Sequence, residues 1–277
     1  MSKVSSLADA MSAVTDGTHL ALTGFSITRS AVAAAAELVR AGRRGLTLTQ
    51  VIGSLDTDLL VGSGCVDRLI YSGGSLDRFG SLHSVNRAIS AGMPAEEYST
   101  LSLTLRLLAG SLGLPFVPTR SLIGSQLLER LTPSGGAMMI SDPFSGSPVL
   151  AVSAVRPDVA IVHANVCDDE GNAWVCGPLW SIKETALASA TVVVTAERVV
   201  PRGGIDPSRI TIPGAVVAAV AEVPGGGRPT SVFGAYDYDA ALLADYAAAS
   251  RAGGETFSRF VADRFLTGAL LTAAVAR

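Results

Sequence analysis

The feature that most limits the fold of this chain is a series of short apolar runs, several of them apolar throughout. "HLALTG", "LTLTQVI", "DRLIYS", "LPFVP", "AMMIS", "PVLAVSAV", "DVAIVHANV", "TVVVTAE" and "VVAAVAEV" are all of strand length. A strand with one wet face alternates in polarity, whereas a strand apolar throughout has to be covered on both sides. Helical spacing recurs between the runs, near residues 30–41, 81–91, 101–112, 182–190, 240–249 and 257–266. The alternation predicts an α/β fold, an open and mostly parallel sheet with helices on both faces. One segment departs from it. "DVAIVHANVCDDEGNAWVCG" is a long strand, an Asp-Asp-Glu-Gly-Asn turn and a short strand, hence a β-hairpin. With no internal repeat and no low-complexity linker, residues 1–277 are expected to form a single domain.

Composition narrows the function classes. The formal net charge is -3 and the pI is near 5.6, so there is no basic field for nucleic acid. No apolar run approaches the roughly 20 residues that span a bilayer. The N-terminal "MSKVSSLADAM" lacks the apolar core of a signal peptide. Cys65, Cys167 and Cys176 are too few and too irregular for a disulfide framework, and a cytoplasmic location is the expectation. The three histidines and three cysteines do not fall at metal-ligand spacings. A mean hydropathy of +0.42 is high for a chain that spans no membrane and points to a large buried fraction, including a subunit interface.

Three turns could carry chemistry. In "DGTHLALTGFSITRSAV", Gly24 lets the backbone bend where a strand ends, and Ser30 is placed to cap the next helix. Arg29 at that mouth could meet a carboxylate or phosphate, or it could be a surface arginine on a tight connection. In "GLPFVPTRSLIGSQLLERL", Gly124 and Ser125 could present N–H donors to an oxyanion, or belong to an ordinary loop. In "IYSGGSLDRFGSLHSVNRA", Ser72, Ser75 and Arg78 could bind a polar acyl group. His83, at the start of the helix that follows, reads better as an exposed helix residue than as a base. Glu96 and Glu97, just before a helix, could be catalytic, but acidic residues at a helix N-terminus stabilise it anyway. No G-x-S-x-G, H-E-x-x-H or P-loop pattern occurs.

Four stretches in register go further. "DGTHLALTGFSITR", "GLPFVPTRSLIGS", "DVAIVHANVCDDEGNAWV" and "ITIPGAVVAAVAEVPGGGRPTSVFGAYDYD" resemble, in the same order, elements of the alpha subunit of family I CoA-transferases. The likeness is greatest to the glutaconate CoA-transferase type. It implies an open α/β fold shared with some sugar-phosphate isomerases. It also implies a homologous beta subunit, in an (αβ)2 or larger assembly, and a coenzyme A thioester as substrate with no permanently bound cofactor. In that family a glutamate of the beta half attacks the thioester, so no nucleophile is expected in this chain. The resemblance places Gly24, Phe25, Arg29, Gly124 and Ser125 around the acyl group, and the Gly-Gly loop adds Ser72 and Ser75 as further pocket candidates.

The departures matter. Thr23 replaces the first glycine of the usual Gly-Gly-Phe and narrows the freedom of the turn; Ile123 stands where the glutaconate type tends to carry a glutamine. Both count against a dicarboxylate substrate. A related ring-cleaving hydrolase branch carries its glutamate in the alpha half, where Thr100 stands here, with Glu96 and Glu97 close by as fallback nucleophiles. Hydrolase activity is therefore the alternative, and a catalytically silent metabolite-binding or scaffold subunit is another.

Overall fold

The computed structural model describes residues 2–131 and 135–267. Its strands are β1 (His19–Leu22), β2 (Leu46–Gln50), β3 (Val66–Tyr71), β4 (Ala95–Glu97), β5 (Phe116–Thr119), β6 (Ala137–Ser141), β7 (Pro148–Ser153), β8 (Val159–Asp168), β9 (Ala173–Trp174), β10 (Thr191–Val200) and β11 (Val217–Glu222). Its α-helices are α1 (Leu7–Met11), α2 (Val32–Arg40), α3 (Leu55–Gly62), α4 (His83–Ser90), α5 (Thr100–Ser111), α6 (Gln126–Leu131), α7 (Ile182–Ala188), α8 (Ala240–Ala252) and α9 (Gly254–Val261).

The main sheet runs β11-β10-β8-β1-β2-β3-β4 and is parallel along this whole path. All ten residues of β8 are buried, which is why its run is mainly apolar and the polar side chains of His163 and Asn165 are hydrogen-bonded. The expected hairpin is present, with β9 antiparallel to β8. Strand order reverses at β1: the chain continues from β1 to β2 on one side and from β8 to β10 on the other. The carboxyl ends of β1 and β8 therefore flank a topological switch point, where open α/β sheets bind ligands.

Three of the apolar runs do not join that sheet. "LPFVP", "AMMIS" and "PVLAVSAV" give β5, β6 and β7, a separate antiparallel sheet in the order β5-β7-β6. Parallel neighbours need a crossover of about a dozen residues. Only residues 142–147 join β6 to β7, in a turn where Asp142 accepts from the Phe144 N–H at 3.0 Å. One face of this small sheet packs Leu150 and Val152 against Leu103 and Leu107 of α5. Its outer side leaves Phe116, Met138 and Phe144 exposed, Phe144 at 97%. Among the described residues no helix is long and apolar enough to cross a membrane.

Helix α3 has no sequence signal, because every residue from Leu55 to Val61 is buried, Asp56 and Asp58 included. An amphipathic stripe cannot be seen where there is no wet face. The two aspartates serve neighbouring helices. Asp58 Oδ1 accepts from the Ser84 and Val85 N–H groups at 2.8 and 3.0 Å, capping α4. Its Oδ2 accepts from the Ser250 and Tyr246 hydroxyls of α8 at 2.6 and 3.1 Å. Asp58→Ala leaves four donors without this acceptor, and we expect a loss of about 3 kcal/mol of stability, read as a lowered midpoint in equilibrium urea denaturation.

Candidate active site

The carboxyl ends of β1, β2 and β3 lie side by side, and the turns that leave them are joined. Phe25 bridges to Ile52 and Gly53 to Gly74. Gly53 donates to Gly73 O at 2.9 Å, Ser75 N–H to Gly53 O at 3.2 Å, and Ser26 Oγ reaches Ser75 O at 3.5 Å. Gly24, Phe25, Ser72 and Ser75 are thus brought to one ledge. Ser72 Oγ donates to Val51 O and lies 3.4 Å from Thr100 Oγ1. Ser75 Oγ accepts from the Asp77 N–H at 3.2 Å.

The turn after β1 is tight and strained. Gly24 has φ +110°, and a Cβ there would stand 2.7 Å from Arg29 O. Ser26 and Arg29 also take positive φ, at 48° and 57°, a conformation that costs a non-glycine residue about 1–3 kcal/mol. Thr23 is 3% exposed, and its Oγ1 donates to Ile161 O of β8 at 3.2 Å. Its side chain secures the strand end.

Two expectations are corrected here. Ser30 does not cap α2: its Oγ donates to Ser26 O at 3.3 Å, and the N-cap position is Ala31. The capping acceptor is Asp56, whose Oδ2 takes the Ala31 N–H at 3.0 Å. Arg29 does not stand at an open mouth. It is 0% exposed, and its Nη1 and Nη2 donate to the carbonyls of Cys176 and Pro178 at 3.0 and 2.7 Å. Its Nε is buried without a partner, and its guanidinium lies 5.2 Å from the Trp180 ring centroid. No carboxylate among the described residues pairs with it. Burial lowers its pKa to about 10.

Trp180, which has no sequence signal, stacks on Phe25 with ring centroids 4.6 Å apart and planes 13° from parallel. A second missed group secures the same region. His163 of β8 is fully buried, with Nδ1 2.9 Å from Thr195 Oγ1 and Nε2 2.8 Å from Glu197 Oε1. Glu197 also accepts from the Tyr236 hydroxyl at 2.6 Å and the Gly225 N–H at 2.7 Å. This clasp holds the 224–236 loop, where Ser231 O accepts the Arg29 N–H at 2.6 Å. A histidine in the apolar run "DVAIVHANV" was the available signal, since a buried polar side chain needs partners.

The remaining predicted residues are more scattered. Leu122 anchors the Gly124–Ser125 loop in an apolar cluster with Val51 at the end of β2. Gly124 has φ +79°, and Ser125 Oγ donates to Leu122 O at 2.7 Å within its own turn. Ile123 is 41% exposed. Glu96 and Glu97 do not precede the helix directly; they form the edge strand β4, and Ser99 caps α5. Glu96 is tied to Arg68, to Tyr98 Oη at 2.7 Å and to Arg106 at 3.5 Å. Burial pushes its carboxyl up, but hydrogen bonds from Arg68 and Tyr98 and the charge of Arg106 outweigh it and hold the pKa below the usual value. Arg78 lies over the Phe79 and Tyr238 rings, and His83 accepts from Arg251 at the surface. Asp56, Glu96 and Glu197 are each held by several donors, an arrangement suited to support and poor for nucleophilic attack. Among the described residues no group of three or more His, Cys, Asp or Glu is placed to hold a metal ion.

Comparison with known proteins fits this arrangement. Residues 4–223 match the family described as coenzyme A transferase. The chain is 34% identical over 259 residues to the A subunit of 3-oxoadipate CoA-transferase from Pseudomonas knackmussii, covering 92% of this chain and 90% of that one. It is 32% identical over 269 residues to the A subunit of glutaconate CoA-transferase from Acidaminococcus fermentans, covering 89% and 82%. The crystal structure of the latter enzyme superposes with a TM-score of 0.90, covering 96% of this chain and 89% of that chain. The decarboxylase AibA/AibB superposes with a TM-score of 0.85 at 32% identity, covering 96% and 100%.

Two variants test the ledge. Gly24→Ala forces a Cβ onto Arg29 O in a left-handed turn and is expected to cost about 2–3 kcal/mol, measured by chemical denaturation. Asp56 tests it through pH. Burial raises its carboxyl pKa to about 6, against the N–H groups of Thr57 and Ala31, which lower it. The folded chain therefore takes up a proton that the unfolded chain, with a carboxylate near 3.9, does not. As pH falls from about 6 toward 4, the wild type should gain stability relative to Asp56→Asn, and parallel stability curves for the two would refute this.

Proposed function

The chain belongs to the coenzyme A transferase family and is an alpha-type subunit of such an enzyme; we propose that a homologous beta subunit supplies the glutamate nucleophile. The observation that carries this reading is the ledge itself. It gathers a glycine turn, hydroxyls and an aromatic pair at the switch point, while Asp56, Glu96 and Glu197 are committed to support. Such a surface can bind an acyl group and offer donors to a developing oxyanion.

In the proposed reaction the partner's glutamate carboxylate attacks the thioester carbonyl. The C–S bond breaks, the CoA thiolate leaves, and an acyl–glutamyl anhydride remains. The thiolate attacks the glutamyl carbonyl, releasing the donor carboxylate and leaving a glutamyl-CoA thioester. The acceptor carboxylate then repeats these steps in reverse order and leaves as the new acyl-CoA. Gly24, Phe25, Ser72, Ser75, Gly124 and Ser125 are the proposed contacts to the acyl group. Arg29 supports them from behind, consistent with its burial. The exposed apolar side of the small sheet, with Phe116, Met138 and Phe144, is in keeping with a protein that does not work alone. A coenzyme A thioester is the proposed substrate, with a cytoplasmic site of action.

The hydrolase alternative is weaker. Thr100, 3.4 Å from Ser72 Oγ, stands in the neighbourhood that the resemblance gives to that branch's glutamate, and of the two fallback carboxylates Glu96 is locked by two arginines and Tyr98, which leaves Glu97 of β4 as the candidate for that reading. The test is reconstitution. On its own, neither polypeptide should transfer CoA. The complex should exchange CoA between an acyl-CoA and a carboxylate, and hydroxylamine or borohydride should trap a glutamyl-CoA adduct on the beta chain. Steady CoA release from acyl-CoA without an acceptor carboxylate would show the hydrolase instead.

A further inference from the structure

Trp180 is held more firmly than its exposure alone requires. It has φ +45°, a left-handed backbone that a bulky residue adopts only when its surroundings enforce it. Two hydrogen bonds from the buried Arg29 guanidinium, to Cys176 O and Pro178 O, fix the segment that leads to it. The same guanidinium lies 5.2 Å from its ring, and Phe25 stacks on it at 4.6 Å. Gly177, just before Pro178, has φ +85° and no room for a Cβ, which would stand 2.9 Å from Phe233. A buried cation with no carboxylate partner and two left-handed residues, Arg29 and Trp180, are unfavourable features. All of them converge on one indole ring. Yet the ring is not buried: 38% of Trp180 remains exposed, beside the carboxyl end of β1. A tryptophan serving only stability would be covered, whereas one fixed in a single orientation with an open surface is a preorganised binding wall.

We propose that Trp180 is a specificity-determining residue: with Phe25 it forms a rigid aromatic wall against which the acyl group of the CoA thioester packs, favouring flat, conjugated or aryl acyl groups over compact saturated ones. Arg29 is the positioning residue for this wall and acts through Trp180. The proposal rests on the CoA-transferase reading above. Such a wall selects by shape and apolar contact.

Binding and turnover separate the two claims. Dissociation constants of benzoyl-CoA, crotonyl-CoA, acetyl-CoA and CoA are measured by calorimetry on the complex with its beta partner, for the wild type, Trp180→Ala and Trp180→Phe. The wild type should bind benzoyl-CoA and crotonyl-CoA more tightly than acetyl-CoA. Trp180→Ala should weaken the two flat thioesters by about 10-fold and leave acetyl-CoA and CoA within about 2-fold. Trp180→Phe should restore most of the preference. In a Trp174→Phe background, where Trp180 is the sole tryptophan of this chain, benzoyl-CoA should quench the emission and CoA should not. Arg29→Met should shift that emission to the red and erase the preference for flat acyl groups. No preference in the wild type, no change in Trp180→Ala, or equal weakening of all four ligands would overturn the proposal; the last would place the ring against the nucleotide. Failure of the wild-type complex to exchange CoA would instead refute the transferase reading, whatever the binding pattern.

Discussion

Two carboxylates on one buried helix tie three neighbouring helices together. Asp56 takes the N–H with which α2 begins, and Asp58 takes the two N–H groups with which α4 begins and the hydroxyls of Tyr246 and Ser250 on α8. Burying an anion is unfavourable unless donors surround it, and here the donors are helix ends that need an acceptor anyway. The arrangement meets two requirements with one group. It also reaches the ledge, because Gln50, 3.4 Å from Asp56, donates to Thr23 O at the end of β1. The position of the Gly24 turn is therefore set from beneath by α3 and from the far side by the His163–Glu197–Tyr236 clasp.

Fixing a turn from both sides makes sense where chemistry is shared between subunits. In the proposed reaction the nucleophile comes from another chain, and the surface it meets has to be in place beforehand, since misplacement by about 1 Å can cost two orders of magnitude in rate. The share proposed for the alpha subunit is rigidity, apolar shape and hydrogen-bond donors, while Asp56 and Glu197 stay engaged in holding the turns around the ledge.

Much of this was legible in the sequence, for physical reasons. The runs behind β1, β2, β3, β8, β10 and β11 stand out because a mostly buried strand is rich in apolar residues and keeps a polar one only where it has a partner, as His163 does. The hairpin after β8 was visible in its turn chemistry, and the glycine turn in Gly24. Helix α3 was hidden because burial on all sides erases periodicity. The small sheet was misassigned because a run of apolar residues does not say which sheet it joins. Arg29 looked exposed by its type, but its partners, Cys176 O and Pro178 O, lie far along the chain. Trp180 was invisible for the same reason: its role comes from contacts with Phe25 and Arg29 that no local pattern encodes.

The small antiparallel sheet has a consequence for the life of the chain before assembly. Among the described residues neither β5 nor β6 has a further neighbour, and Phe116, Met138 and Phe144 stand in the open beside them. Unpaired strand edges next to apolar side chains are templates for self-association. Any surplus of this polypeptide over whatever covers that side is a burden on the chaperones and proteases of the cell. Balanced synthesis of the two subunits thus becomes a condition of solubility as well as of catalysis, and overproducing one alone should favour inclusion bodies.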